Sequence, residues 1–210
     1  MIFINNISKA YDDKKIFDGF NLEIKDGDFV VISGDSGCGK STLLNMIGGI
    51  DYPDSGSITV DGYIVSKKGK KQAYFKNVIG FLFQNFALLE NKTVKENLNL
   101  IQKSGRTDVS DKEALDTVGL KDAYNKKVYK LSGGEQQRVA LARLMIKKCS
   151  VILADEPTGS LDKGNSEVVM NVLHELNRQG KTVVLVTHDE DIVNSEENVV
   201  YLQKRVMMYS

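Results

Sequence analysis

The chain has 210 residues, 41% hydrophobic and 27% charged, the balance of a folded globular protein rather than of a disordered tail. That length allows one large domain or two small ones, with about 70% of the unfolded surface buried. Lys plus Arg equals Asp plus Glu at 28 each, so overall charge gives no reason to expect DNA or RNA as a partner.

The first segments, IFINNISKAY and KIFDGFNLEI, alternate apolar and polar residues around the charged turn DDK and read as two strands. DFVVISG then reads as a short buried strand and runs straight into GDSGCGKS, Gly34 to Ser41, followed by Thr42 and the helical LLNMIGG. The pattern is G-x4-G-K-[ST]. A strand that turns into a helix through such a loop offers a ring of backbone amides and a helix N-terminus to phosphate oxygens. Gly34, Gly37 and Gly39 let the backbone curl, Lys40 reaches the β and γ groups, and Ser41 ligates Mg²⁺. Cys38 lies inside this loop of amides, where a thiolate is stabilised, so its alkylation is expected to block nucleotide binding.

DSGSITVDG carries turn signals on both sides of one more short strand. A Lys-rich piece, KKGKKQAYFKN, leads to the strand VIGFLFQ. From Asn85 to Lys130 the pattern becomes helical: TVKENLNLIQK and SDKEALDTVG have helical spacing, with Thr93 and Ser110 as caps and KSGRTD between them as an exposed link.

LSGGEQQRVALAR, Leu131 to Arg143, opens the next helix. Ser132 and Glu135 fit a capping box. Gly133 and Gly134 do not follow from capping, since each costs roughly 1 kcal/mol against alanine inside a helix. They make sense where something approaches the backbone too closely for a Cβ. A second helix N-terminus with bare backbone suits the outward oxygens of a γ-phosphate.

The strand SVILADE ends in Asp155 and Glu156. Beside a phosphate-binding loop, Asp155 is expected to reach Mg²⁺ through water and Glu156 to orient or deprotonate the attacking water. The helix NSEVVMNVLHELNRQG holds His174, read as structural. The strand KTVVLVTHD ends at His188, placed where ligands collect in open α/β sheets and so read as a γ-phosphate contact. NVVYLQ and RVMMY form a closing pair of strands. Strands alternating with helices predict a parallel sheet covered on both faces.

Only Cys38 and Cys149 occur, in no metal-type spacing, which points to a reduced, cytosolic setting; Cys149 reads as a small core residue. The N-terminus lacks signal-peptide features, and runs such as FVVI and VVLV fall far short of the ~20 residues that cross a bilayer. Work at a membrane therefore requires docking on another protein.

Taken together, GDSGCGKST, LSGGEQQR, VILADEP, SLD (Ser160 to Asp162) and His188 resemble the ATP-binding-cassette ATPases, in this order and across nearly the whole chain. The resemblance implies an α/β P-loop NTPase fold with an antiparallel β subdomain and a helical subdomain. It implies one domain over 1–210, in which 1–84 and 131–210 make the core plus the β subdomain and 85–130 the helical subdomain. ATP and Mg²⁺ are the implied ligands, held by Ser36, Gly37, Cys38, Gly39, Lys40, Ser41 and Thr42. A head-to-tail homodimer is implied, in which Ser132, Gly133 and Gly134 of one copy close over ATP held by Lys40 of the other. Tyr11 is assigned to adenine, although it also reads as an aromatic at a strand end. Gln84 is assigned to Mg²⁺ and the attacking water, and Asp162 to communication across the dimer.

IGFLFQNFALLENKTVKENL and ADEPTGSLD look most like the export group, with macrolide exporters, lipoprotein-release ATPases and, nearest, bacteriocin or antimicrobial-peptide exporters. KKCS stands where a proline is common in the family. The implied role is a motor subunit peripheral on the inner face of the membrane, bound to a separate permease. The alternative is a cassette that acts in division or wall remodelling without transport.

Overall fold

Alternating apolar residues pair the first strands antiparallel. The computed structural model describes residues 1–12, 14–67, 69, 71–159 and 161–203. β1 (Ile2–Tyr11) lies between β2 (Lys14–Ile24) and β4 (Ser55–Val60), and β5 (Tyr63–Ile64) adds two residues at the edge. The alternation expected for the first two segments is therefore correct.

The second sheet is parallel throughout, in the order β6-β7-β8-β3-β9. Its strands are β3 (Phe29–Gly34), β6 (Ile79–Leu82), β7 (Val151–Asp155), β8 (Thr182–Val186) and β9 (Val199–Leu202). Their apolar runs are continuous because both faces are covered. On one face Val30, Ile32, Val151, Leu153, Val184 and Val186 join the core shared with the antiparallel sheet and α1 (Lys40–Ile47). On the other, Val31, Ile152, Ala154, Val183 and Leu185 meet the long helices. The period of two in each strand decides which core a residue enters.

α2 (Gln72–Asn77) fills part of the Lys-rich segment. α3 (Val94–Leu98) and α4 (Asp111–Thr117) start at Thr93 and Ser110, each with both halves of a capping box formed. They share one apolar cluster with α5 (Gly133–Ile146), through Val94, Leu98, Ala114 and Leu115 against Val139 and Ala140. α6 (Lys163–Arg178) and α7 (Glu190–Ser195) complete the helices. KSGRTD is not the free link the sequence suggested. Gly105 is buried, its carbonyl accepts from Lys148 N at 2.9 Å, and Thr107 N donates to Ile146 O at 2.9 Å, so the segment is stitched to the end of α5. Ser160 and the strand expected at RVMMY lie outside the described residues.

Asn97 is fully buried in α3, yet every polar atom of its amide is used. Its Nδ2 donates to Leu89 O (3.1 Å) and Thr93 O (3.0 Å), and its Oδ1 accepts from Leu89 N (2.8 Å). Asn97→Ala is expected to destabilise the chain by about 2 kcal/mol, read from urea midpoints, because it leaves buried backbone groups unpaired.

Candidate functional site

Parallel strands place their C-terminal ends on one edge of a sheet. Here that edge brings together the residues following β6, β7, β8 and β3, although they lie far apart in the chain. The result is a cleft of about 650 Å³ lined by Tyr11, Lys14, Ile16, Ser36, Gly37, Gly39, Lys40, Ser41, Thr42, Gln84, Glu156 and His188.

The loop from Gly34 to Gly39 turns through positive φ at Gly34 (138°), Gly37 (76°) and Gly39 (108°). A Cβ at Gly34 would lie 2.1 Å from the Leu202 carbonyl oxygen, so this fold admits no other residue there. Lys40 is nearly buried, and its Nζ donates to Gly34 O (2.6 Å) and Asp35 O (3.1 Å). Ser41 Oγ donates to Asp155 Oδ1 at 3.0 Å. Burial raises the Asp155 carboxyl pKa and neighbouring Glu156 adds to this, while the Ser41 hydroxyl and Lys40 oppose them.

A raised folded pKa means that Asp155 holds its proton more tightly folded than unfolded. Stability is therefore lost as pH rises above the unfolded value of about 3.8. Asp155→Asn is accordingly expected to raise the melting temperature of the nucleotide-free chain at neutral pH. The same change should abolish most of the extra stabilisation given by ATP with Mg²⁺. Differential scanning fluorimetry with and without both ligands checks the pair of outcomes.

Glu156 follows β7 with φ 47°, a left-handed conformation that is uncommon for a residue with a side chain. Its Oε1 lies 2.8 Å from His188 Nδ1, and its Oε2 accepts from Thr187 Oγ1 at 3.2 Å. Glu156 is largely buried whereas His188 is 71% exposed toward the cleft. The two residues after β8 thus aim the carboxylate.

Tyr11 lines the cleft with its ring about half exposed. Its hydroxyl donates to Asp51 Oδ2, and Lys9 Nζ sits 4.8 Å from the ring centroid. Burial and the Asp51 carboxylate push the phenol pKa up. His174 has the structural part expected of it: it stacks on Phe29 at 4.5 Å and pairs with Glu196 at 3.1 Å.

The alkylation expected at Cys38 requires a correction. The residue is 5% exposed and belongs to the apolar core with Phe17 and Leu43, and it does not line the cleft. Within the curled loop the side chain points inward while its neighbours line the cleft, so the thiol is shielded from alkylation in the folded chain. Cys149 is likewise buried, as its position before β7 suggested.

Ser132, Gly133, Gly134 and Asp162 do not line this cleft. Ser132 caps α5 by accepting from Glu135 N (3.3 Å), while Ser132 N donates to Glu135 Oε2 (2.8 Å). Asp162 caps α6, accepting from Asn165 N (2.9 Å) and Asn165 Nδ2 (2.5 Å). The two glycines have different reasons. A Cβ at Gly134 would meet the Asn165 amide at 3.0 Å, whereas one at Gly133 would meet nothing within 4 Å in its own chain. Nothing among the described residues therefore crowds Gly133, and the space beside it is open.

Three further groups escaped the sequence reading. Lys14 and Ile16 line the cleft because β2 folds back on β1, with Lys14 paired to Tyr11; an amphipathic hairpin next to Tyr11 was the available signal. Thr187, one residue before His188, was the third.

The comparisons agree with this geometry. A family model described as ABC transporter matches residues 17–159. The cell division ATP-binding protein FtsE of Mycobacterium tuberculosis is 42% identical over 205 residues, which make up 93% of this chain and 88% of FtsE. The macrolide export ATP-binding/permease protein MacB of Chlorobaculum tepidum is 40% identical over 99% of this chain, which spans only 34% of MacB. Among solved structures, the ATP-binding cassette MJ0796, dimeric in a post-hydrolysis state bound to ADP and Pi, superposes with a TM-score of 0.85 at 36% identity, covering 97% of this chain and 95% of that one. Fold, cleft and relatives converge: the chain belongs to the ABC transporter family and is one of its ATP-hydrolysing cassettes.

Proposed function

We propose that this cassette powers export through a membrane-spanning partner, with two copies closing head to tail over two ATP molecules. One observation carries the reading: the cleft holds Lys40, Ser41, Gln84, Glu156 and His188, while the Ser132-Gly133 turn is exposed elsewhere on the same chain and has room for a close approach from outside. A second copy supplies what the first cleft lacks.

In this mechanism the amides of 36–42 and the Lys40 ammonium hold the β- and γ-phosphates, Lys40 exchanging its loop carbonyls for phosphate oxygens. Tyr11 stacks on the adenine. Ser41 and Asp155 are oxygen donors 3.0 Å apart, a set that suits a hard cation, with the Gln84 amide in the same cleft. Mg²⁺ held there would neutralise charge building on the phosphates. Glu156, aimed by Thr187 and His188, takes the proton from the water that attacks the γ-phosphorus as its bond to the bridging oxygen breaks. Ser132, Gly133 and Gly134 of the second copy hold the transferred group, and Asp162 lies at the seam. Loss of phosphate removes the charge that joined the copies.

Residues 85–130 form the helical subdomain in this reading, and the surface from Phe86 to Glu90 passes closure to the membrane partner. Leu89 is half exposed there. MacB, named as both ATP-binding protein and permease, supports a membrane partner on the inner face of the membrane; a peptide or lipophilic cargo fits the export group. FtsE, equally similar, favours the second reading, a division role without cargo. Copurification of the tagged chain with its membrane partner, followed by ATP-dependent uptake of labelled peptide into inside-out vesicles, separates them. Uptake supports export, and ATP turnover without movement of any cargo supports the second reading.

A further inference from the structure

The loop after β6 carries Gln84 and then does something costly: Phe86 (φ 62°) and Ala87 (φ 46°) are consecutive left-handed residues, neither of them glycine. Non-glycine residues avoid this conformation because Cβ crowds the following carbonyl, and two in a row persist only where the surroundings hold them. The turn makes its own bonds, from Phe86 N to Phe83 O (3.0 Å) and from Ala87 N to Asn85 O (2.7 Å), and one side chain takes both carbonyls of the pair. Arg143, in the third turn of α5, donates from Nη1 to Ala87 O at 2.6 Å and from Nη2 to Phe86 O at 3.0 Å. The fork geometry of a guanidinium spans two adjacent carbonyls, which the point-like ammonium of lysine does not.

Arg143 lies on the helix whose first turn is Ser132-Gly133-Gly134. Eleven residues of α-helix place it roughly 16 Å along the axis from Ser132, so a rigid rod runs from the turn that faces outward to the loop that carries Gln84. Phe83, next to Gln84, is stacked on Phe81 of β6 at 4.6 Å and 9°. The loop is therefore pinned by a ring stack at the strand and by Arg143 at the left-handed pair, with Asn97 holding Leu89 two residues further on.

We propose that Arg143 is a positioning residue for ATP hydrolysis, clamping the strained Phe86-Ala87 turn so that the orientation of the Gln84 loop follows the helix that begins at Ser132. The proposal rests on the reading of Gln84 given above. Arg143 touches no substrate; its effect passes through Gln84.

The test is a double-mutant cycle on steady-state ATP turnover by the full chain. Arg143→Ala is expected to lower kcat about tenfold or more while KM for ATP changes less than about twofold, since the Lys40 cleft is left intact. Arg143→Lys should behave like Arg143→Ala. In a Gln84→Ala background, Arg143→Ala should add nothing, because both changes remove one function. Ala87→Gly, which makes the left-handed conformation easy at that position, should restore part of the turnover of Arg143→Ala. If Arg143→Ala fails to fold, Arg143→Lys carries the same cycle. Independent, multiplying effects of the Arg143 and Gln84 changes, or a raised KM with unchanged kcat, overturn the proposal while leaving Gln84 its role. A silent Gln84→Ala removes the role of Gln84 and the proposal with it.

Discussion

Glu156→Gln is expected to cut ATP turnover by about 10³-fold while ATP still binds, a loss of the size general-base removal produces. The amide has the shape of the carboxylate and keeps a partner in Thr187 or His188, but it cannot take a proton from water. In the proposed mechanism it also removes a negative charge from beside the γ-phosphate, so affinity for ATP should hold or rise. With hydrolysis stalled, copies joined by ATP stay joined. Phosphate-release kinetics and equilibrium binding of a fluorescent ATP analogue measure the two effects separately. Equal losses in both would mean that Glu156 serves binding rather than chemistry.

Lys40→Ala should produce the opposite split, with ATP affinity falling about 100-fold and turnover lost with it. Charged hydrogen bonds are worth about 1.5–3 kcal/mol each, and the proposed mechanism has Lys40 making them to the phosphates. Stability should change little by comparison. In the nucleotide-free chain the ammonium is nearly buried and donates to the Gly34 and Asp35 carbonyls, so desolvation offsets much of what those bonds contribute. Isothermal titration with ATP, alongside urea denaturation without nucleotide, checks both. Unchanged affinity would separate Lys40 from the phosphates.

Both substitutions act on residues that were legible in the sequence, and the reason is local. Gly34 to Ser41 needs a strand before it and a helix after it, and both follow from the adjacent apolar runs. Thr93, Ser110 and Ser132 each stand three residues before a glutamate, and all three form capping boxes. What was not legible depends on distant parts of the chain meeting. The parallel order β6-β7-β8-β3-β9 decides that Gln84, Glu156 and His188 share a cleft with Lys40, and alternation within one strand cannot rank its neighbours. The burial of the Cys38 thiol was not legible because a curled backbone has no simple period. Gly134 is a glycine partly because of Asn165, thirty-one residues later, and Arg143 reaches back to Phe86 and Ala87. Helical spacing puts an arginine on a helix without saying what lies beside it.

The helical region shows the same division. Its caps were readable, but its packing on α5 through one continuous apolar cluster and the stitching of Gly105 and Thr107 to the end of that helix were not. Those contacts tie the segment after Gln84 to the helix that starts at Ser132, which is the connection that any coupling between a membrane partner and the nucleotide requires.

The most direct measurement is a crystal structure of the Glu156→Gln chain grown with ATP and Mg²⁺. Ser132 Oγ and the Gly133 amide of one copy should stand within hydrogen-bonding distance of the γ-phosphate oxygens of ATP held by Lys40 of the other. A structure in which ATP occupies the Lys40 cleft while the serine-glycine turn of every copy faces open solvent would contradict the account.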